Sequence, residues 1–152
     1  MPINYIKKYI SSEELEAIKN HIAYIEKSTS GEIRLCFQKT RAWIDRKLTT
    51  RELAMKEFFK LGMNKTKDKT GVLLFVLFKE KKFEVVADEG INNKISPEKW
   101  DAITNHLVYE FKGGHYKEGI VKALDEIKDV LMKEFPRKKD DVDELSNDIV
   151  IK

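Results

Sequence analysis

Four carboxylates, Glu32, Asp68, Asp88 and Glu89, stand at the ends of segments whose apolar residues alternate or run together as in β-strands. With Thr70 and Asn92 nearby they offer hard oxygen donors of the kind that Ca²⁺ and Mg²⁺ prefer, and they are the candidate metal ligands. Clustered like charges also raise one carboxyl pKa, which makes Asp88 the candidate acid–base residue if a phosphoryl group binds there. The competing reading is that these are solvated turn caps, common in a chain with 26 Asp and Glu among 152 residues. The stretch Asp88-Glu89-Gly90-Ile91-Asn92-Asn93 resembles a fragment of an EF-hand loop but lacks its full spacing and terminal bidentate Glu. Any ion would have to draw its ligands from several loops.

A second cluster, Lys39, Thr40, Arg41 and Arg46, follows the first strand, where an open α/β sheet would receive an anion such as phosphate. No glycine-rich turn precedes the next helix, so no backbone cradle exists for a nucleotide, and no nucleotide or organic cofactor is expected. Cys36, the one cysteine, sits in an apolar strand pattern and reads as core. His21, His106 and His115 are scattered without metal spacing. Neither an Arg-His-Gly motif nor a Cys followed by Arg in a loop occurs, so any phosphatase chemistry here must be carboxylate- or metal-assisted. Trp100, Phe111 and Tyr116 fall at helical spacing and read first as core.

The elements that must position these residues are legible in order. Ser11 and Glu14 form a capping box ahead of Leu15, Ile18, Ile22 and Ile25, a first helix. Ser28-Thr29-Ser30-Gly31 then turns into a strand over about Glu32 to Gln38. After a basic loop from Lys39 to Lys47, Thr49 and Glu52 open a second helix that carries Leu53, Phe58 and Leu61 to a stop at Gly62. Val72 to Phe78 is apolar on both faces, as a central strand covered by helices requires. Lys79-Glu80-Lys81-Lys82 makes a charged turn into an antiparallel third strand through Phe83, Val85 and Ala87.

Ser96, as the cap, and Pro97 then open a helix with Trp100, Ile103, Leu107 and Phe111 on its buried face. Gly113-Gly114 breaks the chain. Ile120, Leu124, Ile127, Leu131 and Phe135 supply the last helix, and Pro136 follows it. This order predicts an α/β fold, a three-layer α/β/α sandwich. Its small mixed β-sheet is a parallel crossover plus an antiparallel hairpin, flanked by helices on both faces. Residues 1–136 form a single domain, and 137–152 read as a charged, disordered tail.

The formal charge of +3 is small beside 36% charged residues, so nucleic acid is not an expected partner. No apolar run reaches the length of about 18 residues that a span needs, so no direct membrane insertion is expected. With no apolar leader at residues 1–10, a cytoplasmic location is the simplest expectation.

The chain resembles the TPM domain family along nearly its whole length before the tail. The resemblance is carried by Thr29-Ser30-Gly31-Glu32-Ile33-Arg34, by Leu61-Gly62-Met63, and by Asp68-Lys69-Thr70-Gly71-Val72-Leu73-Leu74. It continues in Asp88-Glu89-Gly90-Ile91, Trp100, and Phe111-Lys112-Gly113-Gly114-His115-Tyr116. The resemblance implies an α/β/α sandwich of the compact soluble bacterial form. It does not imply one activity, since some members resemble acid phosphatases and others accessory parts of membrane complexes. The leading expectation is a divalent-metal-binding accessory or interaction module whose partner is a protein, for instance a membrane-anchored relative. The alternatives are a weak carboxylate- or metal-assisted acid phosphatase, with Asp88 as its candidate, and a structural scaffold without a ligand.

Overall fold

The computed structural model describes residues 2–139, 145 and 147–152. A 3₁₀ segment, Pro2–Lys8, leads into α1 (Ser12–Glu26) and β1 (Glu32–Gln38). Next come a 3₁₀ turn at Trp43–Asp45, α2 (Thr50–Lys60), a 3₁₀ turn at Met63–Lys65, β2 (Gly71–Leu77) and β3 (Lys82–Ala87). The chain then forms α3 (Glu89–Asn92), α4 (Pro97–Lys112), α5 (Tyr116–Glu134) and β4 (Val150–Ile151).

Local chemistry sets these limits. Ser11 with Glu14, and Thr49 with Glu52, each exchange reciprocal capping-box bonds at the starts of α1 and α2. Gly62, at φ +71°, takes the left-handed turn that ends α2, and Gly114, at φ +77°, separates α4 from α5. Two boundary expectations are corrected. Pro97 occupies the first turn of α4 as expected, but the Ser96 hydroxyl makes no cap hydrogen bond. Residues 89–92, read as loop, form the short helix α3 because Asp88 caps it by accepting from the Glu89 amide.

The sheet order is β3-β2-β1-β4, with β2 and β3 antiparallel and the other pairs parallel. Ile33, Leu35 and Phe37 of β1, with Val72, Leu74 and Val76 of β2, join the apolar faces of α1, α4 and α5 in the larger core. The alternate residues, Cys36, Leu73, Phe75 and Leu77, meet Leu53, Ala54 and Phe58 of α2 and Met63. Side chains two apart share a sheet face, so every β2 residue is buried by one helical layer or the other. This is the α/β/α sandwich expected from the order of elements.

The expectation of a disordered tail from 137 to 152 is corrected where the tail is described. Cys36 pairs with Val150 and Phe37 with Ile151, and the Lys152 amide donates to the Phe37 carbonyl at 2.8 Å. Val150 and Ile151 are β-branched, and they cover the otherwise unpaired edge of β1 at Cys36 and Phe37. The rest of that expectation, at 140–144 and 146, lies outside the described residues.

Candidate functional site

Register brings the loops of interest to one end of the sheet. Glu32 sits opposite Gly71 where β1 and β2 begin, and Ala87 sits opposite Val72 where β3 ends. The side chains nevertheless diverge. Glu32 shares the face of Cys36, is 3% exposed, and its Oε1 accepts the Leu145 amide at 2.8 Å. Asp68 and Glu89 are exposed. Asp88 turns one oxygen, Oδ1, to the Glu89 amide at 2.8 Å. Its other oxygen, Oδ2, is enclosed with no hydrogen-bond partner among the described residues.

Thr70 and Asn92 serve the backbone, donating to the carbonyls of Ser30 at 3.3 Å and Ala87 at 2.6 Å. Among the described residues, no group of three or more His, Cys, Asp or Glu side chains is placed to hold a metal ion. What does converge is backbone. A Cβ on Gly90 would stand 2.4 Å from the Asp68 carbonyl oxygen and 2.5 Å from that of Lys69, so α3 lies directly against the loop before β2. Lys69 itself holds φ at +57° in that loop.

Beside Asp68 and Thr70 opens a pocket of about 370 Å³ whose far wall is Lys94, Glu134, Phe135, Arg137 and Lys138. That wall is fixed by the turn into β1. The Thr29 hydroxyl and the Ser30 amide both donate to the Phe135 carbonyl, the latter at 2.9 Å, and Thr29 bridges to Pro136. Buried Glu26 accepts the Ile33 amide at 2.8 Å, pinning α1 to β1. Sequence reasoning did not find this wall. Its one signal was Pro136 just after a helix, which says where a helix ends and not what it meets.

A second pocket, about 430 Å³, lies at the free edge of β3 between Arg51, Glu84, Asn92, Pro97, Trp100 and Asp101. Arg51 donates to the Val85 carbonyl at 2.7 Å, so with Asn92 on Ala87 two edge carbonyls are covered. Burial pushes the Glu84 carboxyl upward, against the opposing pull of Arg51.

The opposite end of the sheet is basic. Arg41, expected there as an anion receptor, instead grips Glu80 of the β2–β3 turn. Its Nη2 lies 2.9 Å from Glu80 Oε1, its amide 2.8 Å from Oε2, and the Thr40 hydroxyl 2.7 Å from Oε2. The same guanidinium reaches the Leu48 carbonyl and, at 3.3 Å, the Thr50 hydroxyl. Partial burial works to raise the Glu80 pKa, but the hydrogen bonds from Arg41 and Thr40 outweigh it and hold the group at about 2. A carboxylate of the chain thus occupies the place an external anion would take.

Cys36 is fully buried. Desolvation, aided by the charge of Glu57, pushes its thiol up to about 12, which suits a core residue and not a nucleophile. His21 and His106 tie helices together, at 2.7 Å to Asp125 and 2.8 Å to Glu126, and His115 lies 3.5 Å from Glu110.

Comparison with known proteins agrees with this architecture. The model of the TPM domain matches residues 4–130. The BA42 protein of the psychrophilic bacterium Bizionia argentinensis, solved by NMR, is 38% identical. Its structure superposes with a TM-score of 0.85 over 97% of this chain and 98% of that one. Two more distant structures share the fold. They are the N-terminal domain of a protein from P. gingivalis (16% identity, 84% and 79% of the two chains, TM-score 0.68) and that of the cg2496 protein from Corynebacterium glutamicum (11%, 80% and 74%, 0.60). No curated protein matches the sequence. With a family model spanning most of its length and a relative of the same size and shape, the chain belongs to the TPM domain family.

Proposed function

We propose that this TPM domain is an interaction module that takes up Ca²⁺ or Mg²⁺ at the acidic end of its sheet and docks on a protein partner, a membrane-anchored relative being one candidate. One observation carries the reading. Asp88 Oδ2 is enclosed without a hydrogen-bond partner among the described residues, at the start of a helix packed against two loop carbonyls. A buried carboxylate oxygen calls for a donor, a water or a cation. Ca²⁺ accepts backbone carbonyls and water beside a single carboxylate, so Asp88 with Asp68 and Glu89 at the rim fits a weak, hydrated site. Glu32, held by Leu145, stands apart from it.

The test is a Ca²⁺ and Mg²⁺ titration read by backbone amide NMR. Saturable shifts confined to residues around Asp68, Asp88 and Gly90, and lost in Asp88→Asn, are expected. No shift up to about 10 mM ion, beyond the weakest protein calcium sites, makes these carboxylates solvated caps.

A metal-assisted acid phosphatase is the second reading. The pocket beside Asp68 favours it, because cationic Lys94, Arg137 and Lys138 face a carboxylate across a space wide enough for a phosphoryl group. It requires hydrolysis of p-nitrophenyl phosphate by the purified protein to fall in Asp88→Asn and Asp68→Asn. Unchanged turnover in both variants removes it.

A further inference from the structure

The basic end of the sheet carries more charge than the whole molecule. The loop from Lys39 to Leu48 and the turn from Lys79 to Lys82 together hold seven cations and two carboxylates, a net +5, whereas the entire chain has +3. The remainder of the protein is therefore net negative, and the weak overall charge conceals a segregated one. The two segments are one surface, because the Lys79 amide donates to the Lys39 carbonyl at 2.8 Å and Glu80 is bound by Arg41 and Thr40. Both carboxylates are engaged, Glu80 within the surface by Arg41 at 2.9 Å and Asp45 from beside it by Lys56 of α2 at 3.1 Å. Lys39, Arg46, Lys47, Lys79, Lys81 and Lys82 are all exposed.

At the tip of this surface stand two large apolar side chains with almost no cover, Trp43 at 76% exposure and Ile44 at 82%. The Arg46 guanidinium lies over the Trp43 ring at 3.6 Å, joining a cation to an amphipathic ring at the same spot. An adjacent Trp and Ile bounded by lysines and arginines suit a boundary between acyl chains and anionic headgroups. There the indole finds an apolar body and a polar rim, and each basic residue meets lipid phosphate or carboxylate. A nucleic acid would use the cations and the indole but leave Ile44 in water.

We propose that the basic end of the sheet docks peripherally on an anionic lipid surface, with Trp43 and Ile44 entering the headgroup layer. Two apolar side chains with a rim of basic residues make a superficial, reversible contact. It also lies at the end of the sheet opposite the proposed ion site, leaving Asp68 and Asp88 directed away from the lipid.

The intact protein carries its own probe. Of its two tryptophans, Trp100 is 7% exposed, so an emission shift on binding reports Trp43. Vesicles of phosphatidylcholine with about a third phosphatidylserine should shift the emission to the blue and carry the protein in flotation, whereas pure phosphatidylcholine should do neither. Trp43→Phe should abolish the shift, and Ile44→Ser should weaken flotation. Lys47→Gln with Lys79→Gln should lower partitioning roughly 30-fold, from about 1 kcal/mol for each basic residue near such a surface. All four residues are exposed, so these variants fold. Equal binding to neutral and anionic vesicles, or no shift with either, overturns the proposal. So does a shift that follows protein concentration without lipid, which makes the surface a self-association face. A stronger response to duplex or single-stranded DNA than to vesicles overturns it in favour of nucleic acid.

Discussion

The Lys152 ammonium lies 2.7 Å from Oε1 of Glu57, a carboxylate 7% exposed on the sheet-facing side of α2. Partial burial lowers the Lys152 pKa, yet the bond to Glu57 and its negative charge more than compensate, so the net shift is upward. The pair fastens the chain just after β4 to α2, the helix that also covers Cys36 of β1. Removing one partner strands the other. Lys152→Met should cost about 1–3 kcal/mol in urea unfolding, and adding Glu57→Leu should recover part of it. A single variant as stable as the wild type would mean that Glu57 is hydrated.

Gly90 and Gly31 are both crowded, with different consequences. At Gly90 a methyl group meets two backbone carbonyls, whereas at Gly31 it meets the flexible end of Leu131 at 2.9 Å. Gly90→Ala should therefore cost about 3 kcal/mol or more, by forcing α3 away from the loop at Asp68, and Gly31→Ala about 1 kcal/mol. Thermal unfolding ranks the two, and the reverse order would contradict the close approach of α3.

The Arg41–Glu80 contact gives the fold a specific acid limit. Because the folded pKa of Glu80 is depressed, its contribution is complete above the ordinary carboxylate range and is lost as pH falls through that range toward about 2. Glu80→Gln should destabilise the protein at neutral pH and flatten the dependence of stability on pH between those limits. Stability measured by denaturant at several acidic pH values checks this, and parallel curves for variant and wild type would refute it.

Cys36, deprotonating only near 12 and fully buried, should be silent to thiol reagents in the folded protein and react in step with global unfolding. Rapid stoichiometric labelling under native conditions would show a local opening at β1.

The exposed pair at Lys81 and Lys69 concerns the turns. Both hold positive φ, +53° and +57°, a conformation that costs a residue with a Cβ about 1–2 kcal/mol. Lys81→Gly should leave stability unchanged or slightly raised, since relief of that strain offsets the extra chain entropy of glycine. A clear loss in thermal unfolding would show that the Lys81 side chain contributes to the hairpin.

Most of the architecture was legible because it follows from near neighbours. Capping boxes at Ser11 and Thr49, stops at Gly62 and Gly114, period-two alternation in β1, the apolar run of β2 and the helical spacing of apolar residues in α4 and α5 are local chemistry, and together they marked the long elements and the parallel-then-antiparallel order. The candidate site was legible only at the level of the backbone. Topology brought four carboxylates to one end of the sheet, but alternation turned Glu32 to the face that carries Cys36, where Leu145, distant in sequence, supplies its donor. Long-range partners likewise decided that Val150 and Ile151 join the sheet, that Glu57 is buried against Lys152, and that Arg41 is satisfied by Glu80. A sequence specifies which groups need partners and the local path that presents them. Which partner each one meets depends on contacts between segments far apart in the chain, and those exist only once the layers have packed.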